Sequence, residues 1–395
     1  MFKYSVYDYP YINNMYFLNT QIAEQIIKRT THIIKHKINV MNNKGIILAS
    51  GDPHRIGLAH EGAQLAINQN RVVEIPINHK NTFQGVQAGI NLPLHFKGHI
   101  IGVIGITGSP EPLRQFGELL KMTAEMIVEQ AESLRQAQWD HRQKEELTLQ
   151  LIKQNQGDPR IQQQWAEQLG IDLHLPRVAC VIQLITPLEP DTKQDELNTL
   201  VQLLDSPKRG NLVAITSLTE LVILKPTAVG TKGWSTERES QRIDSLLKRL
   251  PIHLKSRVKI ALGQYFPNPQ DLHLSYKTAK ETLLIGIKTN PTSHKYVFEH
   301  YTLQVLLSDL KHHWQGKELL RPYEKLVQYD KNQKLIKTLY VYLSHFGDQQ
   351  ACANALFIHR NTLRYRLEKI EEITGISVKS LEGVCLLYIS QLLSK

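Results

Sequence analysis

The chain is 395 residues long, which exceeds one typical core and predicts two to three domains. Its hydrophobic content of 42% and charged content of 21% are typical of a soluble protein. The longest apolar runs fall far short of the ~20 residues that cross a bilayer, so no membrane-spanning segment is predicted. The formal net charge of +10 favours a polyanionic partner, either nucleic acid or a membrane surface.

The start of the chain and its cysteine content indicate the compartment. No basic segment followed by an apolar core occurs in the first ten residues, so no secretory signal is predicted. The three cysteines, Cys180, Cys352 and Cys385, lie far apart in apolar contexts. They are predicted to be reduced core residues and not disulfides or metal ligands. We therefore expect a cytoplasmic protein without a metal or other cofactor.

Residues 1–134 have the pattern of a small α+β domain. Apolar residues recur at helical spacing over 19–35, and strands are predicted at 38–41 and 46–50, joined by a turn rich in Asn and Gly. A loop then leads into a helix that opens at Glu61, and strands follow over 87–96 and 99–107. A helix between two strand pairs is the layout of sensor domains similar to the PAS and Cache groups.

Two parts of this domain carry residues suited to a ligand. Arg55 and His60 lie in the loop, and residues 61–63 open the helix. The exposed backbone N–H groups of a helix start, together with a guanidinium, form a natural carboxylate site. The glycine-spaced segment 85–93 would let a ligand approach the backbone, and Asn91 offers a donor and an acceptor to a hydroxyl. The alternative is that the glycines serve tight turns and that Arg55 is an ordinary surface residue.

Metal binding and catalysis are less well supported in this domain. His54, His60 and Glu61 are of metal-ligand type, but their spacing is not that of a helical zinc pair. No Ser/His/Asp or Cys/His motif stands out. No metal ligand and no catalytic residue is therefore predicted.

The middle of the chain begins with a long helical segment. Residues 113–155 contain no Pro and only one Gly, Gly117, so they form one long helix or two. From 130 to 146 the segment is polar, as in a spacer or a short, dimeric coiled coil. Residues 135–158 are therefore predicted to be a helical linker.

An α/β pattern follows over 159–295. Strands are predicted at 177–185, 212–216, 221–224 and 258–263, and helices at 194–204, 237–250 and 275–287. The last part, 296–395, is predicted to be helical.

A helix-turn-helix is predicted over 335–376. Leu363, Leu367 and Ile370 recur at i, i+4 and i+7, and Gly375 supplies a stop. Helices are also predicted at 335–346 and 349–357, the second with small residues that allow a close crossing. The alternative is an ordinary helical bundle with a solvated basic face.

The first turns of the last of these helices carry basic and amide groups, whereas its later turns are acidic. Asn361 and Arg364 are expected to meet base edges, and Arg360, Arg366 and Lys369 to contact phosphates. The full set of candidate DNA-binding residues is His359, Arg360, Asn361, Thr362, Arg364, Tyr365, Arg366 and Lys369.

Both ends of the chain resemble one family of bacterial regulators. His359-Arg-Asn-Thr-Leu-Arg-Tyr-Arg-Leu with Ile370-Glu-Glu-Ile-Thr-Gly resembles the C-terminal helix-turn-helix of the PucR type. Residues 49–57 (Ala-Ser-Gly-Asp-Pro-His-Arg-Ile-Gly), 60–63 (His-Glu-Gly-Ala) and 89–94 (Gly-Ile-Asn-Leu-Pro-Leu) look like the sugar-diacid recognition domain of the carbohydrate diacid regulator family. The segment Gly-Val-Ile-Gly-Ile-Thr-Gly at 102–108 adds to this likeness.

This resemblance implies a function and a ligand class. Members of the family are transcriptional regulators, mostly activators, of glucarate, galactarate and glycerate use. The effector would be a hydroxylated organic acid. The candidate ligand-binding residues are Ser50, Asp52, Arg55, Gly57, His60, Glu61, Gly62, Ala63, Gly85, Gly89, Asn91, Pro93, Gly105 and Thr107.

The middle region resembles the degenerate GGDEF-like domain found in such regulators. A working cyclase needs a glycine-rich turn with acidic residues for metal and phosphate, and this chain has Ser217-Leu-Thr-Glu220 there. The middle domain is therefore expected to be structural or regulatory and not an enzyme.

The multidomain α+β protein is thus expected to be an activator that senses an organic acid and binds double-stranded operator DNA. A homodimer and contact with RNA polymerase are further expectations. One alternative is a nucleotide-handling signalling enzyme that uses the middle domain, and another is a scaffold that does not bind DNA.

Overall fold

The computed structural model describes residues 18–31, 36–77, 87–154, 158–185, 190–206, 209–227 and 233–394. The chain divides into two compact units, Met1–His141 and Arg142–Lys395. The mixed α+β class expected from the sequence is confirmed. The finer domain limits at residues 134, 158 and 295 and the likeness to PAS and Cache domains stay predictions.

The first unit is built on a five-stranded antiparallel sheet with strand order β2-β1-β5-β4-β3. Its elements are α1 (Thr20–Thr31), β1 (Ile38–Asn42), β2 (Ile47–Ser50), a short 3₁₀ helix (Pro53–Arg55), α2 (Glu61–Gln69), β3 (Val73–Ile75), β4 (Gly89–Phe96), β5 (His99–Thr107) and α3 (Pro110–Leu151). The edge strand β3 was missed by the sequence prediction. The segment predicted over 113–155 is a single helix, and the unit boundary falls within it.

Both faces of this sheet are covered. Ile38, Val40, Leu92 and Ile104 pack on one face against α1 and the first part of α3. Alternate residues point to the other face, where Met41, Ile47 and Val103 pack against Ala63 and Ala66 of α2. Polar side chains on the α2 face are therefore also enclosed.

The middle domain in the second unit has a second five-stranded sheet, with strand order β10-β9-β6-β8-β7. Its elements are α4 (Pro159–Gln168), β6 (Arg177–Leu184), α5 (Pro190–Leu204), β7 (Leu212–Ser217), β8 (Glu220–Pro226), α6 (Thr236–Arg249), α7 (Ile252–Lys255), β9 (Val258–Leu262), α8 (Leu272–Thr289) and β10 (Lys295–Val297). Helices α5 and α6 cover one face, and α4 and α8 cover the other.

The rest of the second unit is helical. Its elements are α9 (Thr302–Ser308), α10 (Trp314–Tyr329), α11 (Lys334–Ser344), α12 (Gln349–Leu356), α13 (Arg360–Thr374) and α14 (Leu381–Ser394). The start of α11 is fixed by Asp330, whose carboxylate accepts hydrogen bonds from the backbone N–H groups of Leu335 (2.6 Å) and Ile336 (2.9 Å). A buried carboxylate at a helix start satisfies N–H groups that have no partner within the helix.

Among the described residues, no helix is both long and apolar enough to cross a bilayer.

Candidate functional sites

The loop before α2 folds back onto β2 and so fixes where the helix begins. Backbone hydrogen bonds join Gly57 to Ile47 (2.8 Å) and His60 to Gly45 (2.9 Å). Gly57 has a φ of +87°, a conformation that glycine adopts without strain. Asp52 caps the 3₁₀ helix by accepting from the His54 N–H (3.3 Å). These contacts place Asp52 and Gly57 in supporting roles for the loop.

His60 is the N-cap residue of α2. Its Nδ1 accepts a hydrogen bond from the Ala63 N–H at 3.2 Å, and the residue is only 6% exposed. Burial, and next the positive charge of Arg55, lower the pKa of His60 to about 4. The ring is therefore neutral at neutral pH. Because Nδ1 acts as the acceptor, the proton resides on Nε2, which is a donor.

One transverse row of residues crosses the whole sheet beneath the start of α2. Paired positions link Val73 to Asn91, Asn91 to Gly105, Gly105 to Asn39, and Asn39 to Ser50. Directly opposite residues in antiparallel strands point to the same face, here the α2 face. The Ser50 Oγ donates to the Asn39 Oδ1 at 2.6 Å. This row, called the polar row below, combines two amides and a hydroxyl.

Glycines make room for the Asn91 side chain. A Cβ added at Gly62 would lie 2.8 Å from the Asn91 Nδ2 and 3.3 Å from the His60 Cε1. A Cβ added at Gly105 would lie 3.1 Å from the Asn91 Oδ1. The asparagine amide and the histidine ring therefore adjoin each other at the start of α2. His60, Gly62, Asn91 and Gly105, four of the predicted ligand residues, therefore lie together here, and their role in ligand binding stays a prediction.

Asn91 is largely buried, but its amide makes no hydrogen bond with a described residue. Asn91 is 3% exposed, and its side chain forms no hydrogen bond with another residue of the part that the structure describes. The amide atoms of Asn91 are not among the fully enclosed polar atoms that lack a partner, so solvent or a ligand can reach them. A bound hydroxyl or carboxylate would satisfy it.

Other predicted ligand residues have packing roles in this structure. A Cβ at Gly89 would lie 2.2 Å from the Ile106 carbonyl oxygen, so Gly89 allows β4 and β5 to approach. Ala63 is buried in the core between α2 and the sheet. Pro93 pairs with Val103, two positions along β4 from Asn91, and lies on the same face of the sheet, beneath α2. Thr107 pairs with Gly89 on the other side of the polar row.

Gly85 lies outside the described residues. Glu61 begins α2 and is half-buried. Asn39 belongs to the polar row but was missed by the sequence prediction. Its position between the apolar residues Ile38 and Val40 was a usable signal, because alternation places it on the opposite face. No group of three or more His, Cys, Asp or Glu side chains suited to a metal occurs within the described ranges.

The helix-turn-helix consists of α12 and α13, supported by α11. Asp348 caps α12 by accepting from the N–H groups of Gln350 (2.9 Å) and Ala351 (3.0 Å). His359 caps α13 through its Nδ1, which accepts from the Asn361 N–H (3.3 Å). Gly375 ends the helix in the left-handed conformation, with φ +72°.

The buried stripe predicted for α13 is confirmed. Leu363, Leu367 and Ile370 are each at most 4% exposed. They belong to a core that also contains Leu339 of α11 and Cys352 of α12. The opposite face of α13 is therefore directed away from the domain core.

Six of the eight candidate DNA-binding residues form one exposed surface at the start of α13. They are His359, Arg360, Asn361, Thr362, Arg364 and Tyr365. No acidic residue occurs between positions 357 and 367, so this surface carries only positive charge.

Arg366 and Lys369 are engaged within the domain instead. The Arg366 Nη1 donates to the Thr338 Oγ1 of α11 at 3.2 Å. The Lys369 Nζ lies 2.8 Å from a Glu372 carboxylate oxygen and 5.4 Å from the centre of the Tyr329 ring. These contacts orient both side chains and leave further N–H donors, so the phosphate contacts expected from the sequence stay a prediction.

The turn between β7 and β8, where a cyclase carries acidic metal ligands, holds one carboxylate that is already hydrogen-bonded. The Glu220 Oε1 accepts from the Thr216 Oγ1 (2.7 Å) and the Tyr276 hydroxyl (3.3 Å). Burial, and next the nearby Glu220, raise the pKa of Tyr276 to about 12. Glu220 is thus part of the packing between the sheet and α8.

Comparison with known domain families assigns all three regions. Residues 18–151 match the sugar diacid recognition domain, residues 154–285 match the GGDEF-like domain, and residues 335–393 match the PucR C-terminal helix-turn-helix domain.

Similar proteins agree with this assignment, two of them over nearly the whole chain. The chain is 42% identical over 374 residues to the carbohydrate diacid regulator of Escherichia coli (strain K12), which covers 94% of this chain and 97% of that protein. It is 40% identical over 382 residues to an uncharacterized protein of Haemophilus influenzae, covering 95% and 99%. It is 26% identical over 183 residues, 44% of each chain, to a proline-responsive transcriptional activator of Bacillus subtilis. With this identity over nearly its whole length, the chain belongs to the carbohydrate diacid regulator family.

Proposed function

We propose that this protein is a transcriptional activator, and not an enzyme, that responds to a hydroxylated organic acid of the glycerate, glucarate or galactarate class. It controls genes for uptake and catabolism of that acid. The observation that carries the proposal is the Asn91 amide, which makes no hydrogen bond with a described residue and adjoins the neutral His60 ring within the sugar diacid recognition domain. Binding to operator DNA through the helix-turn-helix, and contact with RNA polymerase, complete the proposed activity.

The start of α2 provides the groups that such an acid requires. A carboxylate would be held by Arg55 and by the backbone N–H groups of Glu61 and Gly62, since His60 already accepts from those of Ala63 and Gln64. Hydroxyl groups would be held by the Asn91 amide, by the His60 Nε2–H and by the Asn39–Ser50 pair of the polar row. Arg55 already acts electrostatically on His60, so the two groups are close enough to serve one ligand.

Operator binding would use the exposed surface at the start of α13. Asn361 and Arg364 are the proposed base readers, because asparagine pairs with adenine and arginine with guanine in the major groove. Arg360 and His359 are adjacent and exposed, and they are suited to phosphates. Arg366 and Lys369 would contact phosphates with the N–H donors that their bonds to Thr338 and Glu372 leave.

A homodimer is supported by an apolar stripe on α3. Phe116, Leu119, Met122 and Met126 follow each other at helical spacing and are 52–61% exposed. Monomers seldom leave such a continuous stripe in water. A two-fold dimer would also match a palindromic operator, whose half-site spacing reflects the symmetry of the protein.

The effector site can be tested by calorimetry with glycerate, glucarate and galactarate. The variant Arg55→Ala is expected to lose roughly 1.5–3 kcal/mol of binding free energy, since it removes charge-assisted hydrogen bonds. The variant Asn91→Ala is expected to lose roughly 0.5–1.5 kcal/mol, the value for a neutral hydrogen bond. Matched controls are Arg71→Ala and Asn68→Ala, exposed residues of the same unit. Unchanged affinity in both site variants would remove this site from the proposal.

The neutral state of His60 predicts a pH dependence of stability in the first unit. In the unfolded chain the imidazole gains a proton as the pH falls below about 6.5, whereas the buried ring, with a pKa of about 4, stays neutral. Stability is therefore present above pH 6.5 and is lost as the pH falls towards 4, by at most about 1.4 kcal/mol per unit.

The comparison variant for this experiment is His60→Asn, which keeps an N-cap acceptor but does not titrate. Hydrogen–deuterium exchange of the β4 and β5 amides in the full chain, compared at equal pH, measures the difference. Wild type is expected to lose protection more steeply than the variant between pH 6.5 and 4. Identical pH profiles would contradict the assignment of a buried neutral ring.

DNA binding can be tested by titrating the upstream region of the protein's own gene at two salt concentrations. Arg364→Ala and Asn361→Ala are each expected to cost about 1–3 kcal/mol on the operator and little on random DNA. Arg360→Ala is expected to weaken both and to lower the salt slope by about one unit. The control is Lys379→Ala, an exposed cation beyond the end of α13. Wild-type operator affinity in both the Arg364 and Asn361 variants would show that α13 does not read the bases.

Light scattering after gel filtration tests the dimer. Leu119→Lys is expected to raise the dimer dissociation constant at least tenfold, because a charge would be buried in the apolar stripe. Gln138→Lys places the same side chain on an exposed position of α3 about three turns beyond the stripe and is expected to have little effect. A monomeric wild type, or equal effects of the two variants, would argue against this interface.

A further inference from the structure

A cavity of about 230 Å³ lies in the middle domain, between α6 and the sheet. Its floor is apolar, with Cys180, Ile223 and Ile260 from three neighbouring strands, Leu204 from α5, and Ile243 and Leu246 from α6. Burial raises the pKa of the Cys180 thiol to about 11, so the floor carries no charge at neutral pH. Such a floor accommodates a carbon skeleton but offers it little polar recognition.

The walls of the cavity are strongly basic. Lys225, Arg209, Arg242 and Arg249 line it, and no acidic residue does so among the described residues. The buried Glu239 lies behind this wall and pairs with Lys225 and Arg242, each at 2.8 Å. One carboxylate thus faces four cations, which leaves an excess of about three positive charges around the cavity.

Local contacts hold the cations in place. Lys225 is 8% exposed and is fixed by its ion pair with Glu239. Arg249 donates through Nε to the Ser245 carbonyl oxygen (3.1 Å), and Arg242 donates to the Pro226 carbonyl oxygen (2.9 Å). A guanidinium has five N–H donors. These bonds therefore orient the two arginine side chains and leave further N–H donors for an anion.

This cavity is separate from the turn at which a cyclase would bind its metal. The turn joins β7 to β8 at Ser217–Glu220, whereas Lys225 lies near the opposite end of β8. The Glu220 side chain contacts Tyr276 of α8, on one face of the sheet. Lys225 and Glu220 are an odd number of positions apart in β8, so their side chains point to opposite faces of the sheet. The Lys225 side chain accordingly faces α6.

We infer that this cavity is a binding site for a small molecule that carries a phosphoryl group. Guanidinium forks match phosphate oxygens in geometry, and three of them around one head group favour a dianion. A phosphate monoester carries a charge of about −1.5 to −2 at pH 7, whereas a carboxylate carries only one. The volume is below the ~300–1,000 Å³ typical of drug-sized ligands, so a short-chain ester fits better than a nucleotide.

Such a site would let the middle domain respond to a ligand of its own. It would be independent of the organic acid bound in the first unit and would not require catalysis. The inference therefore does not rest on the identity of the effector or on the dimer.

Calorimetry on the full-length protein tests the inference, with inorganic phosphate and glycerol 3-phosphate as probes at constant ionic strength. The variants Arg209→Gln and Arg249→Gln alter exposed side chains of the cavity wall and preserve the buried Lys225–Glu239 pair. The control is Arg238→Gln, an exposed arginine of α6 that does not line the cavity. A second control, Arg364→Ala, removes a cation of the candidate DNA-binding surface, which could also attract phosphate.

We expect saturable binding near one equivalent, at least tenfold weaker in each cavity variant and unchanged in Arg238→Gln and Arg364→Ala. Tighter binding of glycerol 3-phosphate than of inorganic phosphate would identify an ester as the ligand and show that the apolar floor takes part. Equal binding of both would identify free phosphate as sufficient. Absence of saturable binding, loss of binding in Arg238→Gln alone, or equally tight cavity-dependent binding of glucarate would overturn the inference.

Discussion

The positions of both candidate sites depend on where two helices begin, and a histidine cap fixes each start. The His60 Nδ1 accepts from the Ala63 N–H at 3.2 Å, and the His359 Nδ1 accepts from the Asn361 N–H at 3.3 Å. A ring that accepts in this way has a lone pair on Nδ1. The N–H groups of each first turn that the ring does not accept, together with the positive end of the helix dipole, favour an anion at both places.

The sequence predicted the elements of this fold better than the contacts between them. The spacing of Leu363, Leu367 and Ile370 was enough to place α13, because a helix face depends only on local periodicity. The three-residue strand β3 is too short to show a pattern. The polar row depends on register between strands that are distant in the chain, so the neighbourhood of Asn39 and Asn91 could not be deduced from either segment alone.

Arg366 and Lys369 show a second limit of local reasoning. A helical projection separates the buried stripe of α13 from the remaining positions, but it contains no information about neighbouring helices. Thr338 of α11 accepts a hydrogen bond from Arg366, and the Tyr329 ring at the end of α10 lies against Lys369. Side chains at the border of the stripe are therefore held by packing. Only residues on its far side, such as Asn361 and Arg364, stay exposed.

Both sheets are covered on both faces, and this constraint helps to separate functional polar residues from structural ones. A polar strand residue in such a sheet is buried and needs a partner, because an unpaired buried group costs free energy. Glu220 is satisfied by Thr216 and Tyr276, Lys225 by Glu239, and Lys259 by the carbonyl oxygens of Pro291 and Ser293. Asn91 differs from these three because no described residue satisfies its amide. Internal pairing accounts for Glu220 and Lys259. Lys225 is also paired but lines the basic cavity, and a ligand at Asn91 stays a proposal.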